Sequence, residues 1–183
     1  MPKKFSIILA DPPWQYKAWK GDKGSRTAES YYETMTMDQI KKLKVKKIAA
    51  ENCALFLWTT APFLYVGDEV MEAWGFTYKT IAFHWTKVTK NSTPYEDDKP
   101  SFGMGHYTRG NLELCLLGMK GSLPRFAKNV RQEIRTPIEH HSKKPDEQYE
   151  RIEALFGDIP RIELFARQKW PGWHVWGKEA PEN

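Results

Sequence analysis

Apolar and polar positions fall along this chain in blocks that predict strands and helices in turn. The apolar run Phe5–Ala10 ends at a double proline and predicts a buried parallel strand. Further apolar runs predict strands over 53–58, 77–88, 111–118, 161–165 and 173–176. A capping box at Thr36 and Gln39, with Met37, Ile40, Leu43 and Ile48 on one face, predicts a helix, and similar apolar spacing predicts helices over 62–74 and 145–156.

Strands that alternate with helices indicate an α/β fold, with a mostly parallel sheet and helices on both faces. The polar stretches 15–32 and 89–110 are predicted loops, and the second is long enough to be functional or disordered. A chain of 183 residues without an internal repeat is expected to form one domain over 1–183.

Charge and aromatic content favour a polyanionic partner. There are 28 Lys and Arg against 23 Asp and Glu, which gives a net charge of +5 and a pI of about 9.1. Aromatic residues make up 14% of the chain, including 8 Trp, and stacking on nucleobases is one use for such a surplus. The lysines at 41–47 are interpreted as a solvated helix face rather than a phosphate track.

Several features bear on the state of the cysteines, the location of the protein in the cell and metal binding. Cys53 and Cys115 lie inside apolar runs, which predicts reduced, buried thiols rather than a disulfide. The start of the chain has no apolar signal region and no run is long enough to span a membrane, so a cytoplasmic protein is expected. His140 and His141 lack a third ligand at suitable spacing, so no metal site is predicted.

The four residues Asp11-Pro12-Pro13-Trp14 follow the first strand and carry the candidate chemistry. Ligands of open α/β sheets bind at the carboxyl ends of the strands. The Asp11 carboxylate and a proline carbonyl can together accept both hydrogens of an aromatic amine, which favours a pyramidal nitrogen with a directed lone pair. Trp14 offers a flat face for stacking the base, although a strand-ending turn with a core tryptophan has the same sequence.

Several separated segments together resemble the MT-A family of adenine N6-methyltransferases, and the resemblance covers nearly the whole chain. The segments that carry it are Asp11-Pro12-Pro13-Trp14, Tyr32-Glu33-Thr34-Met35, Phe56-Leu57-Trp58, Gly105-His106-Tyr107, 113–121, Ser142-Lys143-Lys144-Pro145-Asp146-Glu147 and Arg161-Ile162-Glu163-Leu164-Phe165. The family includes eukaryotic messenger-RNA enzymes and smaller microbial and phage enzymes that act on DNA, and this short chain is similar to the second kind.

The resemblance implies a Rossmann-like class I methyltransferase that uses S-adenosylmethionine, in a permuted order that puts the catalytic strand first and the cofactor segments last. It implies that Lys144 and Asp11 reach the cofactor and that Arg167 lies near its ribose. Trp170 stands where the messenger-RNA enzymes have asparagine. Gly177-Lys178-Glu179 stands where relatives have Gly-Asn-Gln or Gly-Asn-Glu, so Lys178 and Glu179 are predicted at the cofactor adenine, with Glu179 the better hydrogen-bond acceptor.

The predicted substrate side depends on aromatic and basic residues near the same end of the sheet. His106 and Tyr107 lie in a glycine-rich loop that could close over an extruded base, and Arg109 could hold a phosphate. Tyr32 and Trp85 complete the set.

The predicted reaction is direct transfer of a methyl group to the N6 amine of adenine in nucleic acid, with DNA favoured over RNA, and it has no covalent enzyme intermediate. Three alternatives stay open: the same chemistry on RNA, a catalytically silent nucleic-acid-binding subunit, and methylation of a protein glutamine or a small molecule. The intact Asp11-Pro12-Pro13-Trp14 argues against the silent subunit. The basic charge and the aromatic surplus argue modestly against the last alternative.

Overall fold

A computed structural model describes residues 3–15, 33–103, 107–139 and 143–182. Three α-helices lie in this part of the chain: α1 (Met37–Lys41), α2 (Leu64–Ala73) and α3 (Glu147–Phe156). The strands, in chain order, are β1 (Phe5–Ala10), β2 (Ala49–Thr59), β3 (Thr77–Val88), β4 (Leu112–Lys120), β5 (Glu133–Pro137), β6 (Arg161–Leu164) and β7 (His174–Trp176).

The described strands form one seven-stranded sheet in the order β5-β3-β4-β2-β1-β6-β7. Parallel pairing joins β1 to β2 and β6, β3 to β5, and β6 to β7. Strand β4 is antiparallel to both of its neighbours, β2 and β3. The mostly parallel sheet predicted from the sequence is confirmed, with β4 as its reversed member.

Alternate residues of the central strands pack against helices on opposite faces of the sheet. On one face Ile8 and Leu55 belong to a buried cluster with Ile40 of α1 and Met71 of α2. On the other face Ile7, Leu9 and Phe56 belong to a second cluster with Tyr149 and Ile152 of α3. Strands buried on both faces explain the nearly continuous apolar runs of the sequence. The architecture is that of a Rossmann-like class I fold.

Several elements differ from the sequence prediction, and β2, for example, begins at Ala49 rather than at Cys53. The helix after Thr36 has the predicted capping box, but it ends at Lys41 and gives way to a 3-10 turn at Val45–Lys47. Strand β5 was not predicted, because its sequence Glu-Ile-Arg-Thr-Pro has one large apolar residue and ends in proline. It lies at the sheet edge, where proline removes no ladder hydrogen bond. The predicted strand Thr77–Val88 has the observed bounds of β3.

The two cysteines are free and buried, as predicted. Among the helices of the described residues, none is long and apolar enough to cross a membrane.

The packing of α3 gives a stability prediction. Ile152 is fully buried against the sheet, so Ile152→Ala should lower the free energy of unfolding by about 2–5 kcal/mol, through lost burial and the cavity left behind. Glu150→Ala, on the exposed side of the same helix, is the matched control and should change it by less than about 0.5 kcal/mol. Urea unfolding followed by circular dichroism measures both values. Equal stability of the two variants would contradict this packing.

Candidate active site

The carboxyl ends of the parallel strands and the start of β4 meet at one edge of the sheet. Ala10, the last residue of β1, pairs with Leu57 of β2 and Leu164 of β6, so Asp11 lies level with the next residues of both neighbours. Because β4 runs the opposite way, its first residues lie at this same edge, where Leu114 pairs with Thr59. Residues far apart in sequence are therefore brought to Asp11 by the sheet.

The Asp-Pro-Pro-Trp corner is held by backbone hydrogen bonds. The carbonyl of Pro12 accepts from the N–H of Trp14 at 2.8 Å, and the carbonyl of Pro13 accepts from the N–H of Met35 at 2.8 Å. The sequence argument left these carbonyls open to a substrate amine, whereas the structure already gives each one a backbone donor. A carbonyl has two lone pairs, so each retains capacity for a second hydrogen bond.

Trp14 is a core residue in this structure. Its side chain is 4% exposed, its ring stacks on Phe63 with centroids 5.5 Å apart, and its indole N–H donates to the carbonyl of Trp58 at 3.1 Å. Such burial leaves no open ring face, which counts against the predicted stacking on a base.

Four side chains of alternating charge, Asp11, Lys144, Glu113 and Lys87, lie along this edge of the sheet between β1 and β3. Lys144 Nζ lies 2.6 Å from Asp11 Oδ2 and 3.2 Å from Glu113 Oε2. Glu113 Oε1 in turn accepts from Lys87 Nζ. The side chain of Lys144 is 10% exposed, so its charge is largely removed from water and depends on these carboxylates.

Burial and neighbouring charges shift the pKa values of this group in opposite directions. Burial raises the pKa of Asp11 above its usual range, and Lys144 opposes this effect. Burial would also raise the pKa of Glu113, but Lys144 and Lys87 outweigh it and hold that pKa at about 2. Burial would lower the pKa of Lys144, but Asp11 and Glu113 raise it above its usual value. Glu113 and Lys144 are therefore both charged at neutral pH.

A cavity of about 370 Å³ opens beside Asp11. Its lining comes from the segments after β1, before α1 and after β6, and from the end of β7 with the residues that follow it. The lining residues are Asp11, Pro13, Glu33, Met35, Phe165, Arg167, Trp176, Gly177, Lys178 and Glu179. Lys178 forms an ion pair with Glu33, and Arg167 Nε lies 3.6 Å from Glu179 Oε2. The wall thus combines apolar side chains with both signs of charge.

Backbone strain is present in this wall. Phe165 has a φ of +62°, in the left-handed region that residues other than glycine rarely occupy. Its ring meets that of Trp176 edge to face at 5.7 Å. Strained residues of this kind often mark ligand sites, because the surrounding structure must enforce them.

The predicted cofactor residues fall into three positions. Asp11, Arg167, Lys178 and Glu179 line the cavity together. Lys144 is not among the lining residues, but it is bonded to Asp11. Trp170 lies apart from the cavity wall and stacks on Tyr149, with centroids 4.8 Å apart and planes at 9°. The cofactor-binding role of each of these residues stays a prediction.

Of the predicted substrate residues, the structure describes Trp85, Tyr107 and Arg109, and these three do not share one exposed surface because Trp85 is buried. Trp85 is 3% exposed in the core and its indole N–H donates to the carbonyl of Thr136 at 3.3 Å. Tyr107 is fully exposed, and the Arg109 guanidinium lies 6.0 Å from the ring of exposed Phe102. Tyr32 and His106 lie outside the described residues, as do His140 and His141. In the described ranges, no three His, Cys, Asp or Glu side chains group as a metal site.

Sequence reasoning did not single out Lys87, Glu113 or Glu163. Both glutamates interrupt apolar strands, and a charged residue inside such a run was the available signal. Glu163, on β6, is 9% exposed and accepts a hydrogen bond from the Tyr149 hydroxyl at 2.9 Å. Burial, together with repulsion from Asp11, raises its pKa to about 7.

This fold and site define an α/β protein with a ligand cavity at the carboxyl ends of its parallel strands. The model of the MT-A70 family matches residues 5–179. The chain is similar to the type II methyltransferase M.MunI of Mycoplasma sp. The two are 35% identical over an alignment 198 residues long, which covers 99% of this chain and 80% of that protein. The chain therefore belongs to the MT-A70 family, and it is a methyltransferase.

Eukaryotic relatives align with the same domain. The N(6)-adenosine-methyltransferase catalytic subunit METTL3 of Homo sapiens is 28% identical over 96% of this chain, which corresponds to 28% of that protein. A putative N(6)-adenosine-methyltransferase of Medicago truncatula is 31% identical over 96% of this chain and 26% of that protein. The chain thus spans about a quarter of the length of these relatives.

Glu163 gives a prediction about stability and pH. Its pKa is raised on folding from 4.5 to about 7, so its contribution to stability is present below 4.5 and is lost as the pH rises through about 7. Glu163→Gln cannot ionise, so the fall in unfolding free energy between about pH 5 and about pH 8 should be smaller in this variant than in the wild type. Urea unfolding at both pH values tests this, with exposed Glu150→Gln as the control. Identical pH dependence in all three proteins would be the contrary result.

Proposed function

We propose that this methyltransferase transfers the methyl group of S-adenosylmethionine to the N6 amine of adenine in DNA. The observation that carries the proposal is the Asp11 carboxylate at the wall of the cavity, held by Lys144 at 2.6 Å. The N(6)-adenosine-methyltransferases among the relatives support the adenine chemistry. The type II methyltransferase, of which the chain covers 80%, supports DNA as the substrate.

The residues of the cavity fit S-adenosylmethionine. A volume of about 370 Å³ lies within the usual range of small-molecule sites. The cofactor carries an amino acid with both charges, a ribose with two hydroxyls and an adenine ring. Arg167, Lys178 and Glu179 supply charged partners, while Phe165 and Trp176 supply aromatic surface. When bound, the cofactor supplies an electrophilic methyl group on a sulfonium leaving group.

We assign Lys144 a role at Asp11 in addition to the cofactor role that the family resemblance implied. The resemblance implied that Lys144 reaches the cofactor. Because its ammonium makes ion pairs with Asp11 and Glu113, we assign it first to Asp11. A neighbouring cation favours the ionised form of a buried carboxyl group, which is the form that accepts hydrogen bonds.

The chain's own groups can activate the target amine by position. Asp11 accepts one hydrogen of the N6 amine, and a proline carbonyl of the corner accepts the other with its second lone pair. This grip favours a pyramidal nitrogen, and its stabilising effect grows toward the transition state. The amine loses its proton as, or after, the methyl group arrives, so Asp11 orients the amine rather than acting as a strong base.

A direct assay tests the proposal. The protein is incubated with labelled S-adenosylmethionine and matched DNA and RNA oligonucleotides, and the digested nucleosides are identified by mass spectrometry. N6-methyldeoxyadenosine is the expected product. Methyl groups found only on cytosine, only on ribonucleosides or only on protein would overturn the proposed substrate.

The role of Asp11 predicts the effect of a nearly isosteric change. Asp11→Asn removes the anionic acceptor and keeps the shape, so turnover should fall roughly a hundredfold or more. Affinity for S-adenosylmethionine should change much less. Single-turnover rates and calorimetric titration separate the two effects. Asp68→Asn, exposed on α2, is the matched control, and near wild-type turnover in Asp11→Asn would show that the assigned role is wrong.

Arg167 tests the position of the cofactor. Arg167→Ala removes a cation from the cavity wall and should weaken binding of S-adenosylmethionine by roughly tenfold, as expected for loss of a charged hydrogen bond. Lys169→Ala removes the same charge from an exposed position in the same connection between β6 and β7. Calorimetric titration compares the two variants. Equal affinity in both would mean that the cofactor does not bind along this wall.

A further inference from the structure

We propose that Glu113 and Lys87 are positioning residues for the methyl transfer, because they hold Lys144 in place and thereby fix the Asp11 carboxylate at the cavity. This inference deepens the proposed function and rests on it. Neither residue lines the cavity. Both act through Lys144, which bonds directly to Asp11.

The geometry makes Glu113 a rigid anchor. It lies on β4, where it pairs with Trp85 of β3, and the next residue, Leu114, pairs with both His84 of β3 and Thr59 of β2, so its backbone is held within the sheet. Lys144, by contrast, lies in the connection before α3, outside any strand or helix. A long flexible side chain on such a segment loses much rotamer freedom when it is held in one position. Glu113 provides the fixed partner that limits its positions.

Two tryptophan rings support the two ammonium groups. Lys144 Nζ lies 5.7 Å from the centroid of Trp58, and Lys87 Nζ lies 4.9 Å from that of Trp85. Both rings are buried, and each indole N–H is bonded, to Gln148 Oε1 at 2.7 Å and to the Thr136 carbonyl at 3.3 Å. A cation over a fixed aromatic face gains an attraction that a cation in water does not have. Trp85 therefore has a structural role beneath Lys87.

When Asp11 is ionised, the charges of this four-residue group balance, with two negative charges on Asp11 and Glu113 and two positive charges on Lys144 and Lys87. Glu113 is placed between the lysines, so its loss leaves Lys87 without its carboxylate and Lys144 with Asp11 alone. Lys87 has a different effect: without it, one positive charge is missing and Glu113 attracts Lys144 more strongly, away from Asp11.

Several groups act on Asp11 from the surrounding elements. Lys144 faces it from the segment before α3, Glu113 and Cys115 from β4, Glu163 from β6, and Arg167 from the connection after β6. A change at Lys87 removes none of these side chains. The effect of Lys87 on Asp11 is therefore electrostatic, and it is transmitted through the Glu113–Lys144 ion pair.

The test uses Glu113→Gln, Lys87→Met and the double variant in the full chain. In Glu113→Gln, the single-turnover rate of DNA methylation, measured on the pH plateau where the rate is constant, should fall roughly tenfold, because the Asp11 carboxylate is slightly misplaced. The KM for DNA and the KM for S-adenosylmethionine should change little. In Lys87→Met, the acidic limb of the pH–rate profile should move to higher pH, because the pKa of Asp11 rises. In the double variant that shift should disappear while the plateau rate stays low.

Controls separate positioning from a merely structural ion pair. Glu69→Gln removes a carboxylate from the Lys41–Glu69 pair between α1 and α2, and its rates should equal those of the wild type. Lys87→Arg keeps the charge and should keep the wild-type pH profile. Rates are normalised to the fraction of protein that binds S-adenosylmethionine, so partial unfolding does not lower them. A wild-type plateau rate in Glu113→Gln, or an unshifted limb in Lys87→Met, would overturn the proposal.

A readout without catalysis distinguishes failure of this inference from failure of the proposed function. Carbon-13 NMR of the Asp11 carboxyl group, assigned with Asp11→Asn, follows its titration directly. The pKa of Asp11 should be higher in Lys87→Met than in the wild type, whatever substrate the enzyme methylates. An unchanged titration would reject the positioning role, whereas absence of adenine methylation in the wild type would reject only the proposed reaction.

Discussion

The site depends on one ion pair between Lys144 and Asp11, because a carboxylate removed from water needs a cation to remain charged. Burial raises the pKa of Asp11, and Lys144 opposes that shift. Lys144 itself is buried and remains charged because Asp11 and Glu113 face it. Each charge of the group thus stabilises the next, and replacing one member affects the whole group rather than a single contact.

The reversed direction of β4 makes this arrangement possible. In a parallel sheet only the carboxyl ends of strands reach the ligand edge, and the first residues of each strand lie at the opposite edge. Because β4 is antiparallel to β2 and β3, its second residue, Glu113, lies at the edge that carries Asp11. An irregularity of topology therefore delivers a charged residue to the site while the rest of β4 completes the apolar core.

The sequence predicted the features that depend on local residue pattern, and it missed those that depend on contacts between residues distant in the chain. The bounds of β3, the strand before Asp11 and the capping box at Thr36 follow from periodicity and from local hydrogen-bonding chemistry. The ion pairs of Lys144 with Asp11 and Glu113 were not predicted, because the register that brings these carboxylates to it is a property of the folded sheet. Strand β5 was missed because an edge strand needs little apolar surface.

The abundance of tryptophan illustrates the same difference between composition and structure. A surplus of aromatic rings predicted stacking on nucleobases, but Trp14, Trp58, Trp74, Trp85 and Trp173 are all at most 4% exposed. Each donates its indole N–H to a carbonyl or side-chain oxygen, so each ring is fixed in the core. Trp176 differs, since it is 49% exposed and lines the cavity. Aromatic content alone is therefore weak evidence for nucleic-acid binding, and the exposed ring at the cavity is the better indicator of where a flat ligand group would stack.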